Sequence, residues 1–487
     1  MSTQTAVLNN HRRNFTVLYV IILLTALQLF IALLTDGFAL SQDEGMWHYI
    51  GRNWFRNRLV PYSGGADNKS PLFYALFGLS DKLFGVNYWF PRVVGTLCQS
   101  LGLWFLYKTA RLLAGRQAGI LTISFYGLSV LWKSVDGKFV SYDETYEVTF
   151  IIASFYFLLG AKNKQGDFIS GFLAAIGLCF RLTAIFGIGA LFTSAIRKKG
   201  FAALSFSAGG LAGVLSGLLA AHLAGINLRD LYTFMLADNF GAGSTTDHGL
   251  IFRTIQFCNL FFFSEVILFY PLLIAYLFIS KKADWLIVWL LSVFVGINLI
   301  GNYARVDLKE ILPAMSLAAG LTAIHFINKY NLPLNKILII IWVCFFPKSL
   351  ESVFVLTVDE SVRPDLYCKE PYIQPDDKAV KALGEWIKAS TKPQQKVFVA
   401  GFSASVQAYS ERVSPTIYFN ATQTQIAKKR FYEDMKQCKA EMILVPLFPS
   451  YKQYIDAGLR AYIDQLAARD YVFDRCMFSY AVYRLKK

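Results

Sequence analysis

Charge is scarce in this chain. Of 487 residues only 17% are Asp, Glu, Lys or Arg, against about 25% in soluble domains. Three long stretches, Phe15–Thr35, Phe201–Leu228 and Trp285–Ala304, carry none of the four. About 20 such residues cross a bilayer as a helix. The shortage therefore excludes a disordered chain and a purely soluble one. Histidine is also scarce, with five in all, and there is no HExxH, no CxxC and no Walker A loop. Those absences remove the common zinc-site and nucleotide-site signatures. What the chain has in quantity is apolar: 55% hydrophobic, 16% aromatic, with a mean hydropathy of +0.41. The expected fold class is a polytopic α-helical membrane protein.

The apolar stretches predict about 11 transmembrane helices, at 15–35, 89–107, 117–135, 146–161, 168–180, 182–196, 201–223, 255–280, 284–303, 310–328 and 334–357. The fifth and sixth are short enough to form a tight hairpin. The last contains Pro347, Lys348 and Glu351, which kink it or bring it out early. With the N-terminus cytoplasmic, the cytoplasmic loops hold 14 basic residues against 2 acidic, a positive-inside pattern. Residues from 359 on hold 20 basic and 15 acidic, and the remainder 14 and 16. The net charge of +15 is thus mostly topological. Nucleic acid is not an expected partner, because that would need one clustered basic face.

Composition changes sharply near residue 358. This divides the chain into a transmembrane domain, 1–357, and a C-terminal extracytoplasmic domain, 358–487. In the latter, Lys378–Ser390 and Tyr451–Arg469 read as helices, while Lys396–Ala400, Met442–Pro446 and Phe478–Arg484 read as strands. That alternation predicts a small α/β domain. Of seven cysteines, Cys98, Cys179, Cys258 and Cys344 lie in spans as packing residues. Cys368, Cys438 and Cys476 face an oxidising side, and Cys438–Cys476 is the expected pair, since both lie beside strands.

The first exterior loop, 36–88, opens on Asp43 and Glu44 directly after the first span. Met46–Val60 follows, with Trp47, Ile50, Trp54 and Phe55 at helical spacing among Arg52, Arg56 and Arg58. This reads as an interfacial helix with its rings at headgroup level. The plainer reading of Asp43 and Glu44 is that they cap that helix. Asn68-Lys69-Ser70-Pro71 then returns a cation to the loop. The next exterior loop carries Asp136, Lys138, Asp143, Glu144 and Glu147. Asp143 and Glu147 share a helix face, which costs energy unless a cation or exposure relieves it. Arg181 interrupts an apolar stretch, where a charge is a functional candidate or the outer end of a hairpin. Arg305 and Lys309 precede Ile311-Leu312-Pro313 at an outer span end, where snorkelling is the alternative. Asp238 and Asn239 are lesser candidates. Gly213 and Gly217 form a GxxxG packing motif. All the candidate chemistry lies on the exterior face, where nucleotides are scarce, so a donor there would be lipid-linked.

Asp43-Glu44-Gly45-Met46-Trp47-His48-Tyr49 after a first span resembles the opening of the GT-C glycosyltransferases. The resemblance is to the bacterial branch of lipid A aminoarabinose transferases and protein O-mannosyltransferase-like proteins. Asn68-Lys69-Ser70-Pro71-Leu72, then Leu83-Phe84-Gly85-Val86-Asn87 and Arg92, is similar to that branch's second block. Asp143, Arg181 and the segment Arg305, Lys309, Ile311-Leu312-Pro313 follow in family order over about residues 10–330. The chain departs from the pattern in three places. Asn68 stands where an acidic residue or His usually precedes the Lys, Ser70 replaces a Pro, and Leu236-Ala237-Asp238-Asn239-Phe240 replaces a His-rich motif.

The resemblance implies transfer of a sugar from a polyprenyl-phosphate donor to an extracytoplasmic acceptor: lipid A, another surface glycan or a protein. It also implies a bacterial cytoplasmic membrane. Asp43 is then the carboxylate base, Glu44 its lesser companion, and Asp143 an orienting residue. Lys69, Arg181, Arg305 and Lys309 are the candidates for the donor phosphate, a leaving group that needs cations more than an acid. Direct attack implies inversion. A divalent metal stays open. The rival reading is a transporter or flippase of a lipid-linked or anionic solute. That would predict repeated spans, and none are visible.

Overall fold

The computed structural model describes residues 3–34, 38–198, 200–237, 250–280, 285–301, 303–354, 368, 374–401, 404–417, 425–449 and 457–486. Asp238, Asn239, Lys199, Lys281, Lys282, Asp284 and the start of the expected 451–469 helix lie outside them. The chain packs as two units. One comprises Met1–Leu34, Arg92–Gly217 and His248–Thr357; the other comprises Thr35–Pro91, Leu218–Asp247 and Val358–Lys487. The first exterior loop therefore clusters with the C-terminal residues.

The first unit is helical. Its elements are α1 (Thr3–Leu34), most of α4 (Trp89–Ser129), α5 (Asp143–Gly160), α6 (Lys164–Phe180), α7 (Ala184–Arg197) and α8 (Ala202–Leu223, whose last turn clusters with the second unit). After them come α10 (Leu250–Phe261), α11 (Tyr270–Ile279), α12 (Trp285–Ile300), α13 (Leu308–Tyr330) and α14 (Leu334–Phe354). Among the described residues, three helices are long and apolar enough to cross a membrane: Thr16–Leu34, Ala202–Leu223 and Arg305–Tyr330. A fourth follows if the bent pair Ile251–Phe261 and Glu265–Ile279 is one span. The two spans expected at 89–107 and 117–135 are the two helical halves of α4, which meet at non-helical backbone at Ala114 and Gly115. Gly115 takes φ 84°, open to glycine without strain. The hairpin expected at 168–196 is α6 and α7, which turn at Arg181. Gly213 and Gly217 face Ala175 and Cys179 across the α6–α8 contact, where a larger residue at Gly213 would crowd the Ala175 side chain. The GxxxG is a packing device. Unlike most exposed helices, α13 is buried along most of its length.

The second unit holds α2 (Gln42–Asn57), α3 (Pro71–Phe84) and the short α9 (Leu228–Tyr232). Its C-terminal part has α15 (Asp377–Ser390), β1 (Val397–Val399), α16 (Ala404–Ser410), α17 (Gln425–Gln437), β2 (Met442–Pro446), α18 (Ala457–Asp470), β3 (Tyr471–Met477) and β4 (Tyr480–Leu485). The sheet order is β1-β2-β4-β3, with β1 parallel to β2 and the other pairs antiparallel. The parallel pair needs a crossover, which runs through α16 and α17. Strands β1 and β2 are wholly buried, whereas β3, at the edge opposite β1, is exposed at Val472, Phe473 and Arg475.

Two expectations are corrected here. Cys476 is bridged to Cys368, with Cα atoms 5.9 Å apart, and Cys438 is a free thiol. Register explains the difference. Cys438 lies before Met442, which is level with Arg484 and hence Val472, while Cys476 is level with Ala481, further along β3. Strand β4 also intervenes, so two strand spacings of about 4.8 Å separate β2 from β3. The second correction concerns α2. Trp47 and Ile50 are buried, and Trp47 packs edge-on against Phe73 of α3 at 4.7 Å. With Glu44, His48, Tyr49 and Asn53 also buried, most of the circumference of α2 is covered by protein.

Candidate functional site

The loop unit builds its site on α2 and α3. Ser41 and Glu44 form a reciprocal capping box: Glu44 N–H donates to Ser41 Oγ at 3.3 Å, and Ser41 N–H to Glu44 Oε2 at 3.0 Å. Glu44 is fully buried in that role. This removes it as a reacting group, and the capping reading applies to it. Asp43 is half-buried in the same first turn.

The group that sequence reasoning missed is Asp67. Its carboxylate accepts a hydrogen bond from Trp47 Nε1 at 3.2 Å. Burial pushes its pKa up to about 6, a rise that the Lys69 ammonium opposes and the Asp43 charge adds to. The acidic residue that Asn68 does not supply is thus present one position earlier. An acidic residue two before Lys69 was the available signal. Lys69 lies 5.9 Å from the centre of the Trp47 ring. Its backbone is pinned on both sides: Tyr62 Oη donates to its carbonyl at 2.7 Å, and its N–H donates to Tyr74 Oη at 3.1 Å. Ser70 then caps α3, and Pro71 opens it.

Behind this pair, α2 is held by the segment 404–417. Ser405 Oγ donates to Gln42 Oε1 at 2.9 Å, Leu40 N–H to Tyr409 Oη at 2.8 Å, and Ser414 N–H to Tyr49 Oη at 2.8 Å. Gly45 meets the Ser405 backbone so closely that a Cβ there would clash. Arg52 bridges Glu411 at 2.8 Å and Asp81 at 3.3 Å, and Arg56 also pairs with Asp81. Burial holds His48 neutral, at about 4, and its Nε2 accepts from Asn87 N–H at 3.3 Å.

The helical unit gathers a second set. Asp143 opens α5 and is buried, as are Glu144 and Glu147. Arg181, between α6 and α7, pairs with Glu144, with Asp307 at 2.7 Å and with Glu310 at 3.2 Å, and reaches Asp143 at 4.0 Å. Its Nε also donates to Thr183 Oγ1 at 2.9 Å, and that hydroxyl donates to Glu310 at 2.8 Å. Arg181 is thus the cation beside Asp143, while Glu147 is reached by the Thr183 hydroxyl at 3.4 Å. Lys309 is buried, and its ammonium donates to the Phe139 carbonyl at 2.6 Å. Arg305 is exposed, 3.8 Å from Asp136. Arg92 is buried and donates to the Ala32 carbonyl at 2.9 Å.

A family profile described as dolichyl-phosphate-mannose-protein mannosyltransferase matches residues 68–221. No curated protein sequence matches the chain. Among solved structures, ArnT from Cupriavidus metallidurans bound to undecaprenyl phosphate superposes with a TM-score of 0.65 at 11% identity, covering 96% of this chain and 97% of that one. The chain has a GT-C fold. The apo state of the same ArnT gives 0.64 at 11% identity, covering 95% and 97%. The Archaeoglobus fulgidus oligosaccharyltransferase in complex with Zn and sulfate gives 0.53 at 11%, covering 87% and 67%. The GT-C resemblance read from the motifs is thereby matched by the fold. The described residues include no group of three or more His, Cys, Asp or Glu arranged to hold a metal.

Proposed function

We propose that the chain is a glycosyltransferase that moves a sugar from a polyprenyl-phosphate donor to an acceptor outside the cytoplasm, with inversion. The observation that carries this reading is the carboxylate pair Asp43 and Asp67 beside Lys69 on the α2–α3 platform. An acceptor hydroxyl loses its proton as it attacks the anomeric carbon, and Asp43 is the base. Asp67, with a pKa of about 6, holds a proton into the near-neutral range. It can therefore donate a hydrogen bond where an ionised carboxylate cannot. The leaving phosphate needs cations; on this platform the candidate is Lys69, while Arg305 and Lys309 are the motif's candidates within the helical unit. The Arg181 guanidinium is already shared among four carboxylates and has little charge left for a phosphate. We assign it to holding Asp143 and its neighbours in place, with Asp143 orienting a substrate.

The donor class is supported by the undecaprenyl phosphate in the ArnT structure and by the mannosyltransferase profile. The acceptor is a lipid, a surface glycan or a protein. We further propose about eleven crossings of a bacterial cytoplasmic membrane, the N-terminus inside and residues 358–487 outside, on the charge asymmetry of the loops. The test is transfer by the purified chain from a panel of labelled polyprenyl-phosphate sugars to extracted envelope acceptors. Asp43→Asn should lower turnover by about 10²-fold or more while leaving thermal unfolding unchanged. Near-normal transfer by that variant would remove Asp43 as the base.

A further inference from the structure

The turn that carries Asp67 and Lys69 holds one residue in a conformation that side chains rarely adopt. Tyr62 has a φ of 71°, in the left-handed region where a Cβ crowds its own backbone. Such a residue persists only where its surroundings over-determine it, and these places cluster at functional sites. Tyr62 is held by its backbone, its ring and its hydroxyl. Its N–H donates to the Gly65 carbonyl at 2.9 Å. Its ring is buried, edge-on to Tyr74 with centres 6.1 Å apart, and stacked on Phe234 at 5.4 Å with 14° between the planes. Its hydroxyl donates to the Lys69 carbonyl at 2.7 Å.

Phe234 comes from a different part of the chain, the segment after α8. It is buried on a turn of π-helix, Thr233–Ala237, that follows α9 directly. Single π turns are rare and stand frequently at functional sites. The same segment makes a second approach to the first exterior loop: a Cβ on Gly225 would lie 3.7 Å from the Val60 side chain. Packing alone would account for one ring against another. It does not account for the far end of Tyr62. A tyrosine's ring and hydroxyl move as one rigid body, so a stack that fixes the ring plane also fixes the oxygen. That oxygen holds the Lys69 carbonyl, and Tyr74 takes the Lys69 N–H at 3.1 Å. Burial, and then the charge of Asp67, hold the Tyr62 phenol well above its usual range, so it remains a donor. Phe234, Tyr62 and Tyr74 thus form one row of rings. The row ends on both backbone polar groups of the residue whose ammonium lies beside Trp47.

We infer that Phe234 is a positioning residue for Lys69 and acts through Tyr62, so that the segment after α8 sets where the ammonium of the first exterior loop stands. What Lys69 then serves rests on the glycosyltransferase reading; the relay itself does not.

The first test reads the acylation of Lys69 in the full chain in detergent. Limiting acetic anhydride is the probe, each lysine is followed by mass spectrometry, and the exposed Lys82 of α3 is the internal reference. Phe234→Ala removes the stack, and Tyr62→Phe keeps it but removes the hydroxyl. Each should shift the Lys69-to-Lys82 ratio about threefold or more, the loosening that loss of one hydrogen bond allows. Phe234→Tyr, which keeps a ring there, should leave the wild-type ratio. Phe234→Leu takes the place of Phe234→Ala if that variant does not fold. An unchanged ratio in the stack and hydroxyl variants, whether neither lysine moves or both move together, overturns the inference. The second test is transfer. Phe234→Ala should lower kcat about tenfold with KM for the acceptor near wild type, and should add nothing in a Lys69→Gln chain. Additive losses would mean that Phe234 only packs. A wild-type chain that transfers no sugar, with the acylation shift present, would sink the glycosyltransferase reading and leave the relay standing.

Discussion

Replacing Asp67 by Asn should make the protein more stable at neutral pH. The half-buried carboxyl has a pKa of about 6 in place of the ordinary 3.8. The folded chain therefore keeps this proton up to about 6, while the unfolded chain releases it near 3.8. Between those values the folded state binds more protons than the unfolded state, so stability falls as pH rises through that window and levels off above it. Each pKa unit is worth about 1.4 kcal/mol, so the native state gives up about 3 kcal/mol at neutral pH and about 1 kcal/mol near pH 4.5. Asn removes that penalty and still accepts from Trp47 Nε1. The lost attraction to Lys69 is already contained in that net shift, so the expected gain is about 3 kcal/mol at neutral pH. The assay is thermal unfolding of purified protein in detergent, wild type against Asp67→Asn, near pH 4.5 and near pH 7.5. The variant should gain more at the higher pH, and its stability should depend less on pH. Equal effects at both pH values, or a loss at the higher one, would refute the reasoning. Turnover should fall in the same variant, since a group placed for activity is one the fold holds at a cost in stability.

Further outcomes follow from the same geometry. Arg52→Glu and Glu411→Arg should each lower the melting temperature, and the charge-swapped double variant should recover part of the loss, with a coupling of about 1 kcal/mol; additive losses would mean the 2.8 Å pair carries no energy. Gly45→Ala should cost about 1–3 kcal/mol by forcing α2 off Ser405, read as a drop in melting temperature and in transfer. Cys368→Ser should release the thiol of Cys476 to alkylation and destabilise the C-terminal part by about 5 kcal/mol, the chain-entropy value for a loop of this length. Cys438→Ser should change neither, and a disulfide lost on replacing Cys438 would contradict the assigned pairing.

Much of the helical scaffold was legible because membrane helices announce themselves by what they exclude. Phe201–Leu228 carries no charge, and α8 runs Ala202–Leu223. The C-terminal elements were legible where a buried run stands between polar segments: Met442–Pro446 is β2 at the expected bounds. Strand β3 was missed because it is an edge strand. Asp474 and Arg475 sit in its middle, and the ladder to β4 is irregular between Phe473 and Arg475. Of the site, the position of Asp43 followed from its motif, and the capping role of Glu44 from its place at the start of α2. Asp67 did not, because neighbours far along the chain bury it: its Trp47 partner is 20 residues away.

By itself the sequence determined where apolar helices form, which loops carry the excess of positive charge, and in what order the GT-C motifs occur. Those are properties of composition and short spacing, felt by each segment without the others. Only the tertiary structure decided that Arg181 is shared among carboxylates from α5 and the start of α13. The same holds for the choice of Cys368 over Cys438 as partner of Cys476, and for the packing of α2 against residues 404–417. Each of those joins groups tens to hundreds of residues apart. Charge pairing, sulfur geometry and close backbone approach act over a few ångströms of space, and distance along the chain does not encode them.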